Sequence, residues 1–197
     1  GVEPANAASM LAAFKAGEPV MLDEVGGFAD GVAVRQVGKE GYRLCAMNLD
    51  EIVTVTTDEI CAAIQAIYED TRTVVEPAGA LAVAGILKTL KADSPIPEPA
   101  VAIVCGANMN FDRLRHVAER ASIGSDSEAL FAVTIPETKG SFLKFAQDIG
   151  DYRITEFNYR MSESGIARIF VGIGTKAGST RNQLNELLSA KGYEHTD

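Results

Sequence analysis

Apolar and polar positions follow two rhythms along the first 121 residues. Short apolar runs at 52–55 and 101–105 are bounded by turn residues, which predicts buried strands. Between them the spacing lengthens to three and four. Ile60, Ile64, Ile67 and Tyr68 share one helical face over 58–71, with Thr57 as the expected N-cap. A shorter helix is expected over 6–15. Residues 78–90 are rich in Ala and apolar nearly all round, the pattern of a buried helix, with Lys88 and Lys91 toward its C-terminal end. Pro95, Pro97 and Pro99 punctuate the approach to the second strand, and 111–121 reads as a charged amphipathic helix. Strand and helix in alternation point to an α/β fold with a parallel-type sheet.

The rhythm changes after the small polar stretch Ser122-Ile123-Gly124-Ser125-Asp126-Ser127, which reads as a linker. Beyond it, strands are expected over 129–135, 154–161 and 166–173, and helices over 141–149 and 180–191. Phe142, Phe145, Ala146 and Ile149 point inward from the first of these helices; Leu184, Leu187 and Leu188 do so from the second, which Gly192 stops. Period-two spacing puts Thr155, Phe157, Tyr159 and Met161 on one strand face. The order β-α-β-β-α, with a further strand beginning at Tyr193, is a split βαβ, ferredoxin-like unit whose last strand is missing or mostly so. The expected organisation is therefore 1–121, a linker at 122–127, and 128–197.

Composition narrows the function classes. Hydrophobic residues at 47% and charged residues at 23% suit a soluble globular chain. A net charge of −9, spread rather than blocked, argues against nucleic acid or an anionic membrane as a partner. No apolar run reaches the roughly 20 residues of a membrane helix. Cys45, Cys61 and Cys105 are widely spaced, with no Cys-x-x-Cys and no His pairing, so neither a disulfide framework nor a zinc site is indicated and a reducing cytoplasm is expected. The start, Gly1-Val2-Glu3-Pro4, has neither an initiator Met nor a signal pattern, so an interior piece of a longer chain is expected.

Candidate chemistry concentrates where strands end. Ile103-Val104-Cys105-Gly106-Ala107-Asn108 reads as strand, tight turn and helix approach, and the carboxyl ends of strands are where ligands bind in open α/β sheets. A lone cysteine at a strand end is ordinarily core, and an isolated Glu76 before Pro77 is ordinarily a helix N-terminal charge. Gly31 in Ala29-Asp30-Gly31 reads alone as a turn glycine. Gly172-Ile173-Gly174-Thr175-Lys176-Ala177-Gly178 lacks G-x-G-x-x-G spacing, so no dinucleotide site is expected. His116, among Arg113, Arg115 and Arg120, and His195, in a frayed tail, read as surface histidines.

Taken in order, Phe28-Ala29-Asp30-Gly31-Val32-Ala33, Val75-Glu76-Pro77-Ala78-Gly79-Ala80, the Cys105 turn, Thr134-Ile135-Pro136-Glu137-Thr138-Lys139-Gly140-Ser141-Phe142 and Thr155-Glu156-Phe157-Asn158-Tyr159-Arg160 resemble the biosynthetic threonine deaminases over essentially the whole chain. The resemblance implies the C-terminal part of a fold-type II pyridoxal phosphate (PLP) enzyme (tryptophan synthase β-like), followed by an ACT-like regulatory unit. It implies that Cys105 partners the pyridine nitrogen of PLP as a neutral group, which moderates the electron sink and favours β-elimination. Glu76, Gly31 and Gly106 then line the cofactor. Glu3, Ala7 and Ser9 match positions that hold a structural monovalent or divalent cation in related serine dehydratases and racemases; a helix entry without metal is the competing reading. Gly140, Asn158, Tyr159 and Arg160 are the implied regulatory residues.

The implied reaction takes L-threonine, and L-serine secondarily, to 2-oxobutanoate or its analogue and ammonia, as the committed step toward isoleucine. Isoleucine and valine are the implied effectors, and a homotetramer the implied assembly. The family's Schiff-base lysine motif, Ser-Phe-Lys-x-Arg-Gly, does not occur in the chain, and neither does its tetraglycine phosphate loop. No catalytic residue is therefore assigned, and the chain alone is expected to be inactive. Two alternatives stay open: a non-catalytic amino-acid-binding or assembly module, and a catabolic serine/threonine dehydratase or serine racemase.

Overall fold

A computed structural model describes residues 1–92, 96, 98–125, 127–161, 165–175 and 181–196, with the side chains of residues 160 and 161 outside that description. Two compact units divide at residue 124, Gly1–Gly124 and Ser125–Asp197.

The first unit opens with β1 (Val2–Pro4), which pairs in parallel with β2 (Val53–Val55), Glu3 facing Thr54 across the ladder. Between them lie α1 (Ser9–Ala16), a 3-10 turn at Asp30–Val32 and α2 (Lys39–Asn48). Helix α3 (Thr57–Thr71) begins one residue earlier than the apolar rhythm suggests. Its N-cap is Thr56, whose hydroxyl accepts Glu59 N–H while the Glu59 carboxylate accepts Thr56 N–H at 2.6 Å, a reciprocal capping box. Helix α4 (Pro77–Lys91) has Pro77 in its first turn, where a missing N–H costs nothing. Helix α5 (Phe111–Gly124) runs through Ser122, Ile123 and Gly124, so the first half of the expected linker is helical. Ile60, Cys61, Ile64, Ala80, Leu81, Ala84, Val117 and Ala121 form the shared core of α3, α4 and α5. Lys88 joins three elements by donating to Thr54 O at 2.9 Å and to the Glu59 carboxylate at 3.2 Å.

Two expectations fail in this unit. Residues 101–105 form no strand: Val101 is 85% and Ile103 75% exposed, and Cys105 is exposed rather than buried. A strand is stable only when a neighbour takes its N–H and C=O groups. Among the described residues no strand pairs with this stretch, so an apolar run alone could not make it one. Helix α4 is also buried on one side only, with Val83 and Leu87 half covered and Leu90 exposed.

The second unit is a four-stranded antiparallel sheet in the order β4-β5-β3-β6, built from β3 (Glu128–Pro136), β4 (Arg153–Met161), β5 (Ile166–Gly174) and β6 (Glu194–Thr196). Helices α6 (Ser141–Ile149) and α7 (Arg181–Ala190) contribute Phe145, Ile149, Leu184 and Leu188 to one core with Phe131, Val133, Ile135, Ile169, Val171 and Ile173. The last strand is present but only three residues long, pairing with Ala132–Thr134 of β3.

A bulge between Ile154 and Glu156 takes Thr155 out of the expected face of β4, which the positions of Phe157, Tyr159 and Met161 keep. Phe157 and Tyr159 stand opposite Val171 and Ile169, on the core face. Thr155 is the bulged residue itself, and its hydroxyl donates to the Glu128 carboxylate. His195 is not in a frayed tail: it sits in β6, half-buried, with Nε2 3.0 Å from Asn185 Oδ1 and its ring against Phe131.

Candidate functional site

The clearest convergence lies at the N-terminus of α4. Pro77 starts the helix and leaves Glu76 outside it in an extended conformation, half-buried. Glu76 N–H donates to Gly106 O at 3.2 Å, and Asn108 N–H donates to Glu76 Oε2 at 3.0 Å. The other carboxylate oxygen faces two glycines. A Cβ on Gly106 would lie 2.2 Å from Glu76 Oε1, and one on Gly31 would lie 3.4 Å from it and 3.0 Å from Ala78 Cβ. Gly106 also has φ +77°, a conformation glycine adopts at little cost. The loop bearing Gly31 is anchored separately, with Arg113 Nη1 3.5 Å from Phe28 O and 3.4 Å from Asp30 Oδ1.

Two of the cofactor candidates, Gly31 and Gly106, thus both face a third, the Glu76 carboxylate, with the exposed Cys105 adjoining Gly106. This set fits one edge of PLP. A thiol is a weak neutral partner for a ring nitrogen, and the space a Cβ would take at Gly31 and Gly106 is held by Ala78 and Glu76, which packs both turns closely beside Cys105. It does not supply a phosphate cradle or a lysine.

The cation candidates behave differently. Glu3 Oε1 accepts Met10 N–H and Oε2 accepts Leu11 N–H, each at 2.8 Å, so the carboxylate caps the open end of α1. Ala7 and Ser9 are buried beside it. Among the described residues, no cluster of three or more His, Cys, Asp or Glu could hold a metal.

In the second unit Gly140 is the N-cap of α6 at φ +96°, a left-handed conformation. Tyr159 reaches from β4 over β5 to the end of β3, where its hydroxyl donates to the Glu137 carboxylate; that bond, with burial adding, holds the phenol above its usual pKa. Phe142 stacks on Phe157 with ring centroids 4.4 Å apart. Asn158 is exposed and stands opposite Phe170, on the face away from the helices, so it does not join Tyr159. Arg160 continues β4, and its side chain lies outside the described residues. Glu137 was not among the residues singled out from sequence. Only the spatial order β4-β5-β3 brings it to Tyr159, and no spacing along the chain encodes that.

Residues 1–106 match the family model described as pyridoxal-phosphate dependent enzyme, and residues 119–197 match the C-terminal regulatory domain of threonine dehydratase. Over all 197 residues the chain is 48% identical to a protein of Escherichia coli and 46% identical to one of Burkholderia multivorans, each named L-threonine dehydratase biosynthetic IlvA. The chain spans 38% and 39% of those relatives' length. Among solved structures, the processed form of threonine deaminase isoform 2 from Solanum lycopersicum superposes with a TM-score of 0.59 at 42% identity, covering 61% of this chain and 35% of that one.

Proposed function

This chain belongs to the family of pyridoxal-phosphate dependent enzymes, and from that premise we propose that it is part of an L-threonine ammonia-lyase, which converts threonine to 2-oxobutanoate and ammonia in isoleucine biosynthesis. The observation that carries the proposal is the succession, in one chain, of a PLP-enzyme segment and a threonine dehydratase regulatory segment, with high identity to the biosynthetic enzymes across both. When bound, PLP supplies the electron sink for loss of the α-proton and the β-hydroxyl. This chain's share is one wall of the site. Cys105 would hold the ring nitrogen with its thiol, and Gly31, Gly106 and Glu76 would line the ring beside it. The anchoring lysine and the phosphate loop come from sequence outside these residues.

The boundaries proposed are a catalytic segment at 1–121 and an ACT-like regulatory segment at 128–197. Isoleucine is the proposed effector, opposed by valine, at a site built from Gly140, Tyr159 and Arg160; L-serine is a secondary substrate, the assembly a homotetramer and the setting the cytoplasm. A structural cation at Glu3, Ala7 and Ser9 remains part of the proposal, since each Glu3 oxygen accepts one α1 N–H and keeps a further lone pair. Calorimetric titration of the chain with isoleucine and with PLP, separately, tests the proposal. Isoleucine binding, with threonine turnover absent until the missing segment is supplied, is the expected result. Binding of neither ligand would overturn it.

A further inference from the structure

We propose that Glu76 is a positioning residue whose carboxylate clasps the Gly106–Asn108 turn and thereby sets where the Cys105 thiol stands. This rests on the reading of Cys105 as the cofactor-facing thiol. Nothing regular holds the turn, since residues 100–110 form neither helix nor strand and Val101, Ile103 and Cys105 are exposed. What holds it are two hydrogen bonds running in opposite directions across the same gap, Glu76 N–H to Gly106 O at 3.2 Å and Asn108 N–H to Glu76 Oε2 at 3.0 Å. Beyond it, Met109 packs against the core of the first unit.

Packing closes the remaining freedom. A Cβ on Gly79, in the first turn of α4, would lie 1.6 Å from Cys105 O, so the carbonyl of the thiol-bearing residue rests directly on the helix. Gly106 turns at φ +77° with no room for a side chain, because Glu76 fills that space. At 3.0 Å the Asn108 bond has the length of an ordinary N–H···O bond, without charge-assisted shortening. One oxygen of Glu76 accepts Asn108 N–H and the other lies against Gly106, so its effect on a bound ring passes through the thiol's placement.

Acceptor geometry, rather than charge, is then what matters. Gln keeps the reach and an accepting oxygen; Asp keeps the charge but is one methylene short. Hydrogen exchange of the full chain, read at the Asn108 amide, should be on the order of tenfold faster in Glu76→Ala and Glu76→Asp, and close to the parent in Glu76→Gln. A nitroxide on Cys105, with Cys45 and Cys61 replaced, should give a narrower, more mobile spectrum in Ala and Asp and an unchanged one in Gln. Exchange within α3 and β3 reports whether each variant folds; should Ala unfold, the Asp and Gln pair decides. Unchanged Asn108 exchange in a folded Ala or Asp variant would overturn the clasp, as would a Gln variant as loose as Asp. PLP titration is a separate arm: an intact clasp without PLP binding counts against the cofactor reading alone.

Discussion

The Tyr193 hydroxyl donates to Asp148 Oδ2 at 2.8 Å, tying the end of α6 to the chain that leaves α7. Lys144 donates to the same oxygen at 2.7 Å, and Lys191 lies 3.5 Å from the other. The Lys144 bond first, then the Tyr193 bond, hold the Asp148 carboxyl down at about 2. An unfolded aspartate titrates near ~3.9. The folded state therefore binds this proton later than the unfolded one. The stabilisation is fully present above pH ~4 and is lost as pH falls toward about 2. Asp148→Asn should flatten the acid limb of unit-two stability in that window, read as urea midpoints against pH. An unchanged acid limb would refute the role.

Thiol reactivity should separate the three cysteines. Burial, with the Asp58 charge adding, pushes Cys61 up to about 12, so it carries almost no thiolate near pH 8. Cys105 is exposed and Cys45 half-covered. Timed alkylation of the native chain, followed by peptide mass spectrometry, should label Cys105 first, Cys45 more slowly and Cys61 only after denaturation.

The capping box at α3 is worth testing by itself. Thr56→Ala removes the hydroxyl that accepts Glu59 N–H and should destabilise the first unit by about 1 kcal/mol. Glu59→Gln keeps the reciprocal acceptor but weakens the contact to Lys88, so it should cost less. Denaturant melts of both variants give the comparison.

Two glycine substitutions should fail for different reasons. Gly79→Ala places a methyl where Cys105 O now lies, and the turn must move; roughly 1–3 kcal/mol of stability should go, with faster Asn108 exchange. At Gly140 a Cβ would meet nothing within 4 Å, but φ is +96°, so Gly140→Ala should cost about 1 kcal/mol of strain without disturbing Asn108. Thermal melts combined with exchange distinguish the two.

The described α-helices other than α2, which no expected element covers, were legible in the sequence because their signals are local. The 3.6-residue rhythm of Ile60, Ile64 and Ile67 locates α3, and residues 141–149 become α6 with the bounds the spacing predicts. Strand 101–105 was misread because an apolar run states a preference for burial, while a strand requires a hydrogen-bonding neighbour. The face of β4 was misread only at Thr155, because that residue is the bulge and drops out of the period-two alternation that the positions of Phe157, Tyr159 and Met161 keep.

By itself, then, the sequence located every described α-helix but α2 and the order of the PLP-enzyme and regulatory motifs along the chain. Each depends on residue types at short spacing. Tertiary structure alone decided that the Glu76 oxygens turn to the Gly106–Asn108 loop, that Glu3 caps α1, and that Tyr159 meets Glu137 across an intervening strand. Those pairings join residues 7 to 32 positions apart, where backbone packing and not local preference selects the partner.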